Sequence, residues 1–262
     1  MRQRRRTRRV LATLCAAMGL FTLNCCWPEE APAAPVAPTK TKSYPGWILN
    51  QTSQLLGMQV LTVSAIGIKT SNRKSSVSLV MTPPFKTVTI YNDQNKTIFQ
   101  TPVKLFRSPY AKGMAIFGSN MLGDAPMVPA GKVTLNGFNV SKYKSTEAYN
   151  LQQVKLKKAG QIPASTPQMM ESQSSDDLHL APGAALALCR LYGIPLVPGI
   201  PVEARNTDLE HHSSYQLQTT KCTKTMVSEK DFALPRGYEH LKNLQEMTKS
   251  DVTEDGMLLF GR

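Results

Sequence analysis

Residues 77–100, VSLVMTPPFKTVTIYNDQNKTIFQ, narrow the fold more than any other stretch: two β-branched runs joined through Asn92, Asp93, Gln94 and Asn95. Val88 and Ile90 alternate with Thr87, Thr89 and Tyr91, the period-2 signature of a strand with one dry and one wet face. The Asn/Asp cluster tolerates turn geometry, so the chain is predicted to reverse there and return through Thr97, Ile98 and Phe99. Pro83 and Pro84 place a bend between this hairpin and the preceding run, residues 76–81. A meander of this kind needs a cover for its apolar face.

The chain begins very differently. Residues 1–9 carry six arginines and no acid, and residues 10–23 form an apolar run, which together read as the n-region and h-region of a secretory signal over residues 1–24. Thr7-Arg8-Arg9-Val10-Leu11 also resembles a twin-arginine signal, with ordinary Sec export as the alternative route. Leu23-Asn24-Cys25-Cys26 resembles a degenerate bacterial lipoprotein box, making Cys25 and Cys26 the lipidation candidates. Uncleaved anchoring and cleavage near Ala31-Pro32-Ala33 are the competing outcomes. Residues 25–43, rich in Pro and Ala, read as an extended tether.

Six of the 13 net positive charges belong to the leader, leaving +7 on the rest. The basic residues behind that charge are spread as single Lys residues, many alternating with apolar positions, as in Val154-Lys155-Leu156-Lys157, whereas nucleic-acid binding needs a dense basic stripe with stacking aromatics. No nucleic-acid partner is expected.

About 220 mature residues suffice for one sizeable core. One domain is therefore expected over residues 44–240, followed by a helical or frayed tail over 241–262. Trp47, Ile48, Gln51, Leu55 and Leu56 have near-helical spacing ended by Gly57, so a short opening helix is expected, with the first strand over 59–68. Residues 102–123 read as a broken helix plus loop. Asn136-Gly137 is a favoured two-residue turn that pairs Leu135 with Phe138 and Val133 with Val140, and Tyr143 breaks that parity, predicting a bulge or strand end before it. Residues 149–158 alternate as a strand would, and 160–177 read as a mobile loop. Residues 182–192, PGAALALCRLY, form an apolar helix with Pro at its start and Gly193 at its end. Two late strands follow, over 202–207 and 215–226.

The catalytic inventory is sparse. There is no G-x-S-x-G, H-E-x-x-H, G-x-x-x-x-G-K-[ST] or C-x-x-C. His211-His212 and the acidic Asp176-Asp177 with His179 read as solvated loops rather than metal ligands, so no enzyme activity, cofactor or metal is expected. Cys189 and Cys222 are the cysteines of the folded region, and a bridge between them would fix the apolar helix as a lid; two buried free thiols are the alternative.

The order of short strands, then Gly137-Phe138-Asn139-Val140-Ser141-Lys142-Tyr143, a later apolar helix, a Pro-rich extended passage, a closing hairpin and Phe232-x-x-Pro235-x-Gly237-Tyr238, resembles a group of poorly characterised bacterial secreted proteins related to the LolA/LolB periplasmic lipoprotein carriers. The resemblance spans residues 61–238. It implies an α+β fold, a curved, mostly antiparallel half-barrel sheet covered by a few short helices, with a concave face able to take a lipid or other hydrophobic ligand. The expected function is thus an exported cell-envelope protein, periplasmic or extracellular, that binds such a ligand. A structural or protein-interaction envelope protein with a filled core is the alternative.

Export is directly testable. Fractionation should find the mature chain outside the cytoplasm without the residues before Cys25, and a Cys25→Ser/Cys26→Ser double variant should lose membrane partitioning. A full-length cytoplasmic chain refutes the reading of residues 1–24.

Overall fold

The computed structural model describes residues 42–249 apart from 73, 109–124, 136–137, 164–165, 176 and 178–179. Backbone pairing within this region generates two meanders. The first runs through β1 (Ser43–Ser53), β2 (Gly57–Ser64), β3 (Gly67–Ser71), β4 (Val77–Met81), β5 (Thr87–Asn92) and β6 (Thr97–Pro102), each antiparallel to the next. The second runs through β7 (Met127–Leu135), β8 (Phe138–Ser145), β9 (Met169–Ser175), β10 (Ile200–Thr207) and β11 (Ser213–Ser228). Antiparallel pairing of β1 with β11 fuses them, and a two-residue strand, β12 (Glu239–His240), adds in parallel beside β6. The result is one open sheet of 12 strands, mostly antiparallel, with a few short helices: α1 (Glu147–Lys158), α2 (Pro182–Tyr192) and α3 (Leu244–Lys249).

The hairpin forms at the expected residues, but its second face is not wet: Thr89 and Tyr91 are buried along with Val88 and Ile90. Asn92, fully buried, turns its Oδ1 to accept the backbone N–H groups of Gln94 (2.8 Å) and Asn95 (3.4 Å), and Lys96 takes a positive φ of 53° to close the reversal. The pairs Leu135–Phe138 and Val133–Val140 are present, with residues 136–137 between them outside the described set. The parity break at Tyr143 is a bulge on the opposing strand: Pro129 faces Tyr143 and Gly131 faces Lys142, so Ala130 is the extra residue. Helix α2 has the expected bounds, with Pro182 at its start and Gly193 at φ 67° closing its end.

Four expectations are overturned, the first being the single strand over 59–68, which is instead β2 and β3 split by a turn at residues 65–66. The opening helix is instead strand β1, because its inward positions are Leu49, Gln51 and Ser53, all buried, against exposed Asn50 and Thr52. Two of those inward residues are polar, which hid the period of two. The strand expected over 149–158 is helix α1, capped by the Thr146 side chain accepting from the Tyr149 N–H. Its covered face is Tyr149, Gln153 and Lys157, spaced four apart, while apolar Leu151 is 55% exposed. The loop expected over 160–177 contains strand β9, whose inward residues Met170, Ser172 and Ser174 are buried. The broken helix expected over 102–123 lies largely outside the described residues. Residues beyond 240 contribute to the core, since Leu244 and Met247 of α3 are buried in the main cluster.

The core lies on the sheet face that carries α2. Leu49, Leu61, Ile68, Leu79 and Ile90 from successive strands meet Ala184, Ala187, Leu188 and Tyr192 of the helix, all nearly or wholly removed from solvent. The opposite face of the first meander has its own cover. Val80, Tyr91 and Ile98 project there and pack with Val227 and Phe232, the latter on a 3-10 turn at Glu229–Phe232, with Tyr238 alongside. Tyr238 meets Tyr91 edge-on at 6.1 Å and donates its hydroxyl proton to Asp93 Oδ1 at 2.6 Å, a bond to a carboxylate that pushes the phenol up to about 12. The terminal motif singled out from sequence is therefore a back cover for the hairpin.

That cover needs Gly67. A Cβ at this position would lie 2.6 Å from the Phe232 ring, closer than packed carbons allow. Phe232→Ala should destabilise the domain by about 3–5 kcal/mol in urea unfolding. Gly67→Ala should be costly alone and nearly free of cost in the Phe232→Ala background. Simple additivity in that double-mutant cycle would rule out the contact as the reason for glycine.

Candidate functional site

Two places combine polar chemistry with a defined surround. The first is on the inner face, at the end of α2. Tyr192, 1% exposed, donates its hydroxyl to Gln51 Oε1 at 2.7 Å. The Gln51 amide in turn donates to the carbonyl of Pro201 (2.9 Å) and to Thr219 Oγ1 (3.0 Å), and Thr219 donates onward to the Val202 carbonyl (2.8 Å). Thr70 lies beside the phenol and donates to Gln59 Oε1 at 3.3 Å. Burial raises the Tyr192 phenol well beyond its ordinary range, so it is a fixed hydrogen-bond donor. A second anchor comes from Arg190, whose Nη1 donates to the carbonyls of Val103 (2.8 Å), Lys104 (2.9 Å) and Phe106 (3.2 Å). Together these contacts seat α2 against the sheet. The space left beside Leu191, lined by Leu56, Gln59, Thr70, Leu79 and Ile90, is about 20 Å³, room for a single water.

The second place is on the other face of the sheet, across β8, β9 and β10. Register alignment sets two rows there: Lys142, Gln173 and Glu203, then Lys144, Glu171, Arg205 and Tyr215. Ala130, Lys142, Tyr143, Glu171, Ser172, Gln173, Glu203 and Arg205 line a groove of about 320 Å³. Glu203, only 8% exposed, accepts from Gln173 Nε2 at 2.9 Å and pairs through the same Oε1 with Arg205 Nε, also at 2.9 Å. The Arg205 guanidinium lies over the Tyr215 ring at 4.3 Å and donates to its hydroxyl. Lys142 and Tyr143 belong to the strand motif read from sequence, but none of these residues was singled out there as a site residue. They share a face only through cross-strand register, a long-range property that no local spacing reveals.

The residues that were singled out lie elsewhere. Cys25 and Cys26 fall outside the described residues. The bridge expected between Cys189 and Cys222 is not formed: both are free thiols. Cys189 faces the core from α2 with its Sγ 3.9 Å from the Val197 carbonyl oxygen, while Cys222 sits on β11 opposite Leu49, partly buried at the core's margin. Burial pushes each thiol up to about 11. His212 Nδ1 lies 3.4 Å from Asp208 Oδ2 and 3.5 Å from Glu210 Oε2 in an exposed turn. Asp177 is held below the usual carboxylate range by the backbone and side-chain N–H groups of Asn139. Among the described residues no group of three His, Cys, Asp or Glu side chains converges to hold a metal ion, and no helix is long and apolar enough to cross a membrane.

No protein-family model matches the chain, and no curated protein does. Among solved structures it is similar to an uncharacterised conserved protein from Thermus thermophilus, at 10% identity over 76% of this chain and 90% of that one, with a TM-score of 0.35. It is also weakly similar to a putative outer membrane lipoprotein-sorting protein domain from Vibrio parahaemolyticus, at 9% identity over 72% and 88% of the two chains, with a TM-score of 0.23.

The thiols give a pH-dependent test. Native alkylation by iodoacetamide should be slow at neutral pH, rise with pH as thiolate forms, and count two thiols per folded domain once the chain is unfolded without reductant. Because the folded thiols ionise near 11 against an ordinary 9.0, their contribution to stability is complete below pH 9 and is lost as pH rises from 9 toward 11. Finding no alkylatable thiol in the unreduced, unfolded domain would restore the bridge.

Proposed function

We propose that this is an exported, non-enzymatic binding module of the cell envelope, which engages its partner through the sheet's outer surface rather than by enclosing an acyl chain. The observation that carries this reading is the seated helix: Ala184, Ala187 and Leu188 are fully buried against Leu49, Leu61 and Ile68, and only about 20 Å³ remains beside Leu191. An acyl chain needs a continuous apolar volume many times larger. The charged groups of the outer groove pair with one another, Glu203 with Arg205 and Gln173, an arrangement suited to recognition. The leader of residues 1–24 supports an envelope location.

A hydrophobic-ligand carrier is the second reading, and the free state of Cys189 and Cys222 favours it, because α2 then has no covalent pin to the sheet. In that reading the helix lifts away, breaking the Tyr192–Gln51 bond and the three carbonyl contacts of Arg190. Lifting uncovers an apolar trough on the inner face.

Native mass spectrometry of protein purified from envelopes of its host separates the two. The surface-binding reading expects the mass of the polypeptide, with its N-terminal modification, and nothing bound. A stoichiometric lipid released by collisional activation, and increased in an Arg190→Ala/Tyr192→Phe variant, would overturn it in favour of the carrier.

A further inference from the structure

The outer groove carries the furthest inference, because three β-bulges surround it. Ala130 is the extra residue of β7 opposite Lys142 and Tyr143. Val202 is skipped in β10 between the pairs Pro201–Ser174 and Glu203–Gln173. Gln216 is the extra residue of β11 between Ala204–Leu217 and Arg205–Tyr215. A regular pleated face is too shallow to enclose a volume; bulges bend the strand, raise the local twist and re-aim side chains. Here they bracket about 320 Å³, at the lower end of the range occupied by small-molecule sites.

The lining shows what kind of molecule belongs there. Lys142 and Arg205 supply two cations and Glu171 and Glu203 two anions, so the groove has no net charge, and a purely anionic or cationic ligand would be attracted by half of it and repelled by the rest. The groups are also fixed in orientation. Gln173 donates to Oε1 of Glu203 and Arg205 Nε forms an ion pair with the same oxygen, leaving Oε2 with no hydrogen bond from the described residues, while the guanidinium sits over the Tyr215 ring and donates to its hydroxyl. Planar, pre-oriented amide, carboxylate and guanidinium groups side by side offer adjacent donors and acceptors, which complement a dense array of hydroxyls. Pre-organisation lowers the entropy lost on binding.

We infer that this groove binds a neutral oligosaccharide. Its polar edges are taken by Gln173, Glu203 and Arg205, with Lys142 and Glu171 at the rim. The inference rests on the proposed binding-module reading and assigns a ligand class to its outer surface.

The test uses the chain without its leader and the two lipidation candidates, residues 27–262, and the neutral probes chitotetraose, cellotetraose and maltotetraose, followed by isothermal titration and by amide chemical shifts. At least one probe should bind saturably, with shifts confined to β8–β10 and the neighbouring part of β11. Affinity should fall about tenfold or more in Glu203→Gln, the loss expected for one charge-assisted hydrogen bond, and by about three- to tenfold in Gln173→Ala, the loss expected for a neutral one. Affinity should change less than about twofold between low and half-molar salt, since an uncharged ligand brings no screened charge. If Glu203→Gln fails to fold, the rim variants Lys142→Ala and Glu171→Ala carry the test with a smaller expected loss. Absence of saturable binding to all three probes, binding that these variants leave unchanged, or tighter binding of the zwitterion triglycine would each overturn the inference. Lipid found on the inner face would refute the surface-binding reading and leave this titration independently readable, because α2 and the groove lie on opposite faces.

Discussion

Everything in this domain depends on the pairing of β1 with β11. The strands run side by side from Ser43–Ser228 to Ser53–Leu217, with a bulge at Thr220, and they are the sole backbone seam between the two meanders among the described strands. Each meander alone is a sheet with one unburied face. Once joined, the first brings Leu49, Leu61, Ile68 and Leu79 and the second brings Ala204 and Leu217 to a common inner surface, on which α2 can be buried. The seam also carries a polar crossbeam, since Gln51 of β1 and Thr219 of β11 are register partners and bond to each other beneath Tyr192. An apolar pair there would leave the phenol and the Pro201 carbonyl without these partners in a region almost closed to water.

The elements legible from sequence are those whose signal is local. Asn92-Asp93-Gln94-Asn95 fixes one reversal, the β7–β8 register is the one read from Leu135–Phe138 and Val133–Val140, and Pro182 with Gly193 brackets α2 to the residue. The misread elements share one physical cause. Periodicity analysis assumes that inward positions are apolar, yet β1 turns Gln51 and Ser53 inward, β9 turns Ser172 and Ser174 inward, and α1 covers Gln153 and Lys157 while exposing Leu151. Where the interior is polar, the hydrophobic period vanishes or points the wrong way. Desolvation draws the Lys157 ammonium below its ordinary range, with Asp208 acting against that shift.

The groove was illegible for a different reason. Lys142, Gln173 and Glu203 lie on three strands, each separated from the next by at least 30 residues, and become neighbours only after two register choices and one skipped residue. Bulges leave an uneven mark in a sequence: Ala130 lies between Pro129 and Gly131 and Val202 follows Pro201, residues that favour bulges, whereas nothing beside Gln216 signals one. The cysteines show the converse error. Being the two cysteines of the folded region of an exported chain suggested a bond, but both are free, and Cys189 points toward the Val197 carbonyl.

The β1–β11 seam also has a history in time. A chain made N-terminus first completes β1 to β6 long before β11 exists, and the partners Gln51 and Thr219 are 168 positions apart. During that interval β1 presents a bare edge of 11 residues to whatever strand arrives first. When its own β11 is late, the nearest complementary strand belongs to a second copy of the chain, and the register that closes one molecule closes two equally well by exchange. The vulnerable moment for this fold is therefore set by synthesis order at one strand edge, and crowding of nascent copies converts that edge into a route to swapped dimers.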